Sequence, residues 1–138
     1  MLKQVVEQWD LNKKNLEKYF RETPQSKYST YMEILEQIII HVLNKGDKSM
    51  KLDPDEISVV DDGNYQGTQI FLFHRERYQP DVEDYYWTNN HYGSCSGCDT
   101  LLSISMYGDG LPDEDQVEDY MYLSLQMIQK IKKLYDED

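Results

Sequence analysis

The hydrophobic period of this chain changes twice, and those changes restrict the folds open to it. From Thr68 to Tyr78 the side chains alternate. Gln69, Phe71, Phe73 and Arg75 fall on one face of an extended strand, and Ile70, Leu72 and His74 on the other. The segments on either side repeat at helical spacing instead. Leu2, Val5, Val6 and Trp9 form one apolar set, and Leu16, Tyr19 and Phe20 resume it, with Asp10 placed to cap a second helical start between them. Pro24 breaks the pattern. Thr30-Tyr31-Met32-Glu33 has the form of a capping box, followed by an apolar face of Leu35, Ile38, Ile39, Val42 and Leu43, with Lys45 and Gly46 as its stop.

Two more strands are expected around the alternating one. Ile57 and Val59 suggest a short strand before it, and Asp61-Asp62-Gly63-Asn64 is turn chemistry, with Gly67 marking a bulge or wider loop. Asp84 to Tyr92, rich in aromatic residues, reads as a third strand. Asp99 to Met106 is a short helix, Gly108 to Pro112 a loop, and Asp113 to Leu134 a final helix lined by Val117, Tyr120, Met121, Ile128 and Ile131. Acids at its start and Lys130, Lys132 and Lys133 near its end both suit the helix dipole. The expected fold is therefore α+β over residues 1–138 as a single domain. Residues 1–46 are helical, 55–92 form a three-stranded antiparallel meander, and 99–134 supply C-terminal helices, all packed on one face of the sheet.

A chain of 138 residues can bury a core without staples, and its two cysteines make no disulfide scaffold. There is no apolar run of transmembrane length and no signal-peptide pattern at the start, so a cytoplasmic location is expected, with no membrane association. The formal net charge of −12 opposes direct binding to nucleic acid or to anionic membranes and suits a partner with a basic surface.

The most unusual segment runs from Tyr92 to Asp99 and joins a strand to a helix through small residues. Cys95 and Cys98 have the C-x-x-C spacing that grips zinc, with His91 as a third ligand and Asp99 as a fourth, but no second such pair completes the site. The same spacing at a helix start has the form of a redox motif, although too little chain follows for that fold. A Gly-rich turn entering a helix presents backbone N–H groups to an anion, although Asp99 would repel a phosphate. Against these stands a structural reading: a tight turn in which the cysteines pack as small apolar groups and Asp99 caps the helix. His41 reads as a helix-face residue and His74 as a strand residue paired with a neighbour. No set of residues marks a catalytic site, and no resident cofactor is expected.

The second unusual feature is a surface rich in tyrosine and acid. The chain has 12 tyrosines. Asp109, Asp113, Glu114, Asp115, Glu118 and Asp119 crowd one stretch, in which Asp115, Glu118 and Asp119 share a helix face. Tyr85 and Tyr86 lie on the third strand, where alternation sends one of them inward. Asp115, Glu118, Asp119, Tyr85 and Tyr86 are the expected partner-binding residues, since tyrosine brings a large ring with a polar tip to an interface.

The strings Asp62 to Thr68, Tyr78-Gln79-Pro80, Tyr92 to Leu101 (Y-G-S-C-S-G-C-D-T-L) and Gln116 to Met121 resemble a family of small uncharacterised proteins from phages of Gram-positive bacteria. The resemblance spans about residues 55 to 133 and attaches no activity to any residue. It implies a phage setting in a bacterial host cytoplasm, where small acidic proteins act by binding a host protein. The leading expectation is a non-enzymatic accessory protein that inhibits or redirects a host factor, such as a defence nuclease or a transcription component. A nucleotide-sequestering protein that uses the small-residue loop and neighbouring tyrosines is one alternative. An enzyme with a Cys95 or Cys98 nucleophile is another.

Overall fold

The computed structural model describes residues 2–26, 29–45, 51–63, 67–93, 99–105 and 110–135. Helix α1 (Leu2–Glu22) runs without a break. The expected second start at Asp10 is absent because the buried stripe is continuous. Val5, Trp9, Leu16 and Phe20 are all in the core, and Asn12 fills the gap between them. The Asn12 amide donates to the Val42 carbonyl (3.1 Å) and to Gln8 (3.0 Å), so one polar residue in the stripe satisfies the end of the next helix. Helix α2 (Tyr31–His41) opens on the expected capping box, in which Thr30 and Glu33 exchange hydrogen bonds. A 3₁₀ turn, Leu43–Lys45, follows it.

The sheet is antiparallel and has four strands, not three, in the order β1 (Ser58–Asp61), β2 (Gly67–His74), β3 (Tyr85–Tyr92) and β4 (Lys132–Lys133). Helices α3 (Thr100–Ser105) and α4 (Glu114–Gln129) lie between β3 and β4 in sequence. The fourth strand corrects the reading of the C-terminus. The last helix ends at Gln129, and residues 132–133 turn back to pair with Trp87 and Tyr86. Ile131, expected on the buried face of that helix, is buried at the turn into β4 instead. The strand has the further effect of giving the β3 edge backbone partners, including Leu134 N–H to the Tyr85 carbonyl (3.0 Å).

The register puts Phe71, Phe73, Tyr86 and Thr88 on the inner face of the sheet, all fully buried. They join the buried residues of α1, α2 and α4 in one core cluster. Phe20 of α1 stacks flat on Tyr120 of α4, with ring centres 4.8 Å apart. The Thr88 hydroxyl donates to the Met127 carbonyl (2.9 Å) and ties strand to helix. The opposite sheet face is open: Val60 and Ile70 are exposed, and Trp87 is half-covered beneath Lys132.

Two glycines answer specific demands. A Cβ on Gly67 would lie 2.7 Å from Asp62 Oδ1 and 2.9 Å from Gly63 Cα, so the turn closes only without a side chain. Gly110 has φ +133°, and it pairs with Gln25 through two backbone hydrogen bonds that hold the end of α1 near the start of α4. Gly46, Met106 at the end of the expected short helix, and Gly108 and Asp109 of the expected loop lie outside the described residues.

Because Ile131 anchors the return to β4, Ile131→Ala is expected to cost about 2–4 kcal/mol. Exposed Lys133→Ala should stay within about 0.5 kcal/mol. Urea denaturation of both variants checks this. Equal, small effects would mean that the return segment contributes nothing to the core.

Candidate functional site

Helix α4 is built to keep one face wet. Asp113 caps it, accepting from Gln116 N–H (2.8 Å), while the Gln116 side chain accepts from Asp113 N–H (2.9 Å) and donates to the Ile104 carbonyl (2.9 Å). Val117, Tyr120, Leu123, Ser124, Met127 and Ile128 face the core. The remaining positions, at spacings of three and four, leave Asp115, Glu118 and Asp119 exposed along the outer face. Glu114 is paired with Arg21 of α1 at 2.9 Å. Among the described residues, Asp115, Glu118 and Asp119 have no such cation. Tyr122, 61% exposed, continues the same face one turn on. The sequence reading passed over it, although the Glu118–Tyr122 spacing of four residues was there to be used.

The two tyrosines of β3 part company. Tyr86 is fully buried, stacked on Phe73 (6.1 Å), and its hydroxyl accepts from Arg75 Nε (3.1 Å). It is a core residue, and its assignment as a partner contact is corrected: it pairs with Phe73, on the face that meets the helices. Tyr85 points the other way. It is half-buried, with its ring edge-on to His74 at 5.2 Å.

Cys95 and Cys98 lie outside the described residues, whereas His91 and Asp99 of that zinc proposal are seen. His91 is exposed, its Nδ1 2.9 Å from the Thr68 hydroxyl. Asp99 has a different task. It is 8% exposed, and its carboxylate accepts from the Tyr31 hydroxyl (2.6 Å), Leu102 N–H (3.1 Å) and Gly93 N–H (2.9 Å). Both oxygens are used in capping α3 and joining it to α2 and to the end of β3, which is the capping role of the structural reading. The Tyr31 hydroxyl in turn accepts from Leu101 N–H (3.1 Å). Burial, and then the bond to Asp99, push this phenol far above its usual range.

A cleft of about 170 Å³ opens beside this junction, lined by Ser29, Thr30, Tyr31, Gln69, Tyr92 and Asp99 among others. It is smaller than the roughly 300 Å³ at which small-molecule pockets begin, and it presents a carboxylate where a nucleotide phosphate would need donors. At its rim Tyr92 donates to Asp61. That bond raises the Tyr92 phenol to about 12 and lowers the Asp61 carboxyl.

The histidines do not gather. His41 stacks on Tyr19 (5.1 Å), and burial lowers its pKa. His74 is buried at one end of the β2–β3 pair and His91 lies at the other. Six residue steps separate their register positions, a span of about 20 Å. Compared with known proteins, the chain matches no family model, no curated protein and no solved structure. Among the described residues, no helix is long and apolar enough to cross a membrane.

The Tyr31–Asp99 junction has a pH signature. The unfolded chain releases the Tyr31 proton near pH 10, whereas the folded chain holds it. Above that pH the folded state therefore binds more protons, and stability falls as pH rises. Tyr31→Phe should cost about 1–3 kcal/mol at pH 7 and should make the alkaline decline shallower by about one proton. Urea titrations at pH 7 and above pH 10 measure both. An unchanged alkaline slope would show that Tyr31 ionises freely in the folded protein.

Proposed function

We propose that this chain is a non-enzymatic binding protein that presents the outer face of α4 to a basic protein surface. The observation that carries this reading is the exposed row of Asp115, Glu118 and Asp119, which lacks cation partners among the described residues and ends on exposed Tyr122. A cation brought by a partner would complete the row, and Tyr122 would supply the apolar contact that charge alone lacks. The face sits on a helix held from behind by six buried side chains, so it is presented in a fixed shape.

The resemblance of the 62–68, 92–101 and 116–121 strings to phage proteins supports a phage setting. There the partner would be a host protein in the bacterial cytoplasm, inhibited or redirected by this chain. Defence nucleases and transcription components are the partner classes favoured, because both carry basic grooves made for nucleic acid. The net charge of −12 supports a protein partner over direct contact with nucleic acid.

Pull-down from host lysates followed by association kinetics tests the reading. Reversing Asp115, Glu118 and Asp119 to Lys should slow association and flatten or invert its salt dependence. Tyr122→Ala should weaken binding by about 2 kcal/mol while leaving the fold intact. Tyr86→Ala should instead destabilise the protein itself, by about 3–5 kcal/mol. A captured partner that binds the triple reversal with unchanged rate and salt slope would place the interface elsewhere.

A further inference from the structure

The chain before β1 is stitched to the end of β2. Leu52 and Arg75 form an isolated bridge, Asp53 N–H donates to the His74 carbonyl (2.9 Å), and Glu76 N–H donates to the Lys51 carbonyl (2.8 Å). This brings together three side chains that the sequence keeps up to 21 residues apart (74 − 53): Asp53, Glu56 and His74. One oxygen or ring nitrogen from each lies within 4.8 Å of the others. His74 is the buried member, at 4% exposed, with the Tyr85 ring against it. Asp53 is half-buried, and Asp55 N–H holds its Oδ1 at 2.9 Å. Glu56 reaches in from solvent.

The hydrogen bonds of His74 set a condition on what lies between these groups. Its Nδ1 is 2.7 Å from the Arg75 carbonyl oxygen. A carbonyl only accepts, so Nδ1 carries a proton. Nε2 faces Glu56 Oε2 at 2.9 Å. In a neutral ring Nε2 is a lone pair, and it would then meet a carboxylate acceptor to acceptor. A proton, on the ring or on the Glu56 carboxyl, or a metal ion must lie between them. The Nδ1–H bond to a backbone carbonyl is the support that metal-binding histidines use to aim Nε2. Two ligand atoms bound to one zinc ion at near-tetrahedral or smaller angles lie about 2.8–3.6 Å apart, a range that includes the Nε2–Oε2 separation.

The surroundings favour a cation. Lys51 is engaged with Glu76 (3.4 Å), and Arg75 turns its guanidinium to the Tyr86 hydroxyl. On α2, Glu36 has its carboxyl pushed up, first by burial and then by the negative charges of Glu33 and Asp55. In the adjoining cleft three carboxylates, Asp53, Asp55 and Glu76, stand against two lysines, Lys45 and Lys51.

We infer that Asp53, Glu56 and His74 form a three-ligand site for one divalent transition-metal ion, with water as the fourth ligand. One imidazole nitrogen with two carboxylate oxygens suits Zn²⁺ ahead of Mg²⁺ or Ca²⁺, which take oxygen donors. This site is separate from any at Cys95, Cys98 and His91, since His91 lies at the other end of β3. Bound metal clamps the 51–57 segment onto the end of the β2–β3 pair.

The test uses the full chain, stripped of metal, in a Cys95→Ser, Cys98→Ser background that removes the thiolates. Calorimetric titration with ZnCl₂ should show one site per chain, together with a rise in melting temperature. Glu56→Gln should weaken binding by at least about tenfold, as expected when a ligand is lost. Glu56 is exposed, so this variant should fold where His74→Ala need not. Nitrogen NMR of the ring should show His74 Nε2 shifting on zinc addition while Nδ1 keeps its proton. Absence of zinc binding in the double-serine protein, or binding undiminished by Glu56→Gln, would overturn the site. So would a ring that keeps protons on both nitrogens in excess zinc, because the charge facing Glu56 would then be the proton.

Discussion

The Asp99 carboxylate is the interaction on which the arrangement of the whole depends. A buried carboxylate is costly unless donors surround it. This one has three, from three different places: the first residue of α2, the residue after β3, and the first turn of α3. Helix α2 precedes β1 in sequence and α3 follows β3, so the same side chain joins the two helices at the point where β3 ends. Removing the acid would leave the Tyr31 hydroxyl and two backbone N–H groups searching for acceptors in a region with little water. The exit of the chain from β3 is tied down there, through Gly93 N–H.

From that junction the molecule divides into two unlike sides. Inward, Phe71, Phe73 and Tyr86 meet helix residues that are fully buried, and even the polar members are answered: Thr88 by the Met127 carbonyl, Ser124 by the Tyr120 carbonyl. Among the described residues the Asn90 amide nitrogen is an exception, buried with no acceptor, while Lys130 approaches its oxygen at 3.4 Å. Outward, Asp115, Glu118 and Asp119 of α4 have no cation among the described residues, and Asp53 and Glu56 are drawn together beside His74. The proposed partner surface and the proposed metal site thus arise from one property, an excess of carboxylates that the interior does not use, applied to two different geometries.

Local rules were readable wherever neighbouring residues decide the outcome. Thr30 and Glu33 announce α2, and the aromatic run ending at Tyr92 announces β3, because caps and alternation act over a few residues. The limits are equally physical. A strand of two residues, Lys132 and Lys133, has no period to read, and its lysines suit a helix end equally well. Asp10 resembles a cap, but tertiary packing of Trp9 and Leu16 carries α1 straight through it. Alternation shows that Tyr85 and Tyr86 face opposite ways, but only the core shows that Tyr86 is the inner one. The Glu56–His74 contact spans 18 residues and depends on the Leu52–Arg75 bridge, which no local pattern encodes.

The strand at the sheet's other margin carries a different consequence. All four residues of β1 are exposed, and β2 occupies only one of its sides, so its remaining backbone groups are a template that a second molecule's strand could extend. Val59 and Val60 would make such stacking favourable. The strand is short and ends in Asp61, and every copy carries twelve excess negative charges. Mutual repulsion therefore opposes strand pairing between copies at an edge that no other described strand covers.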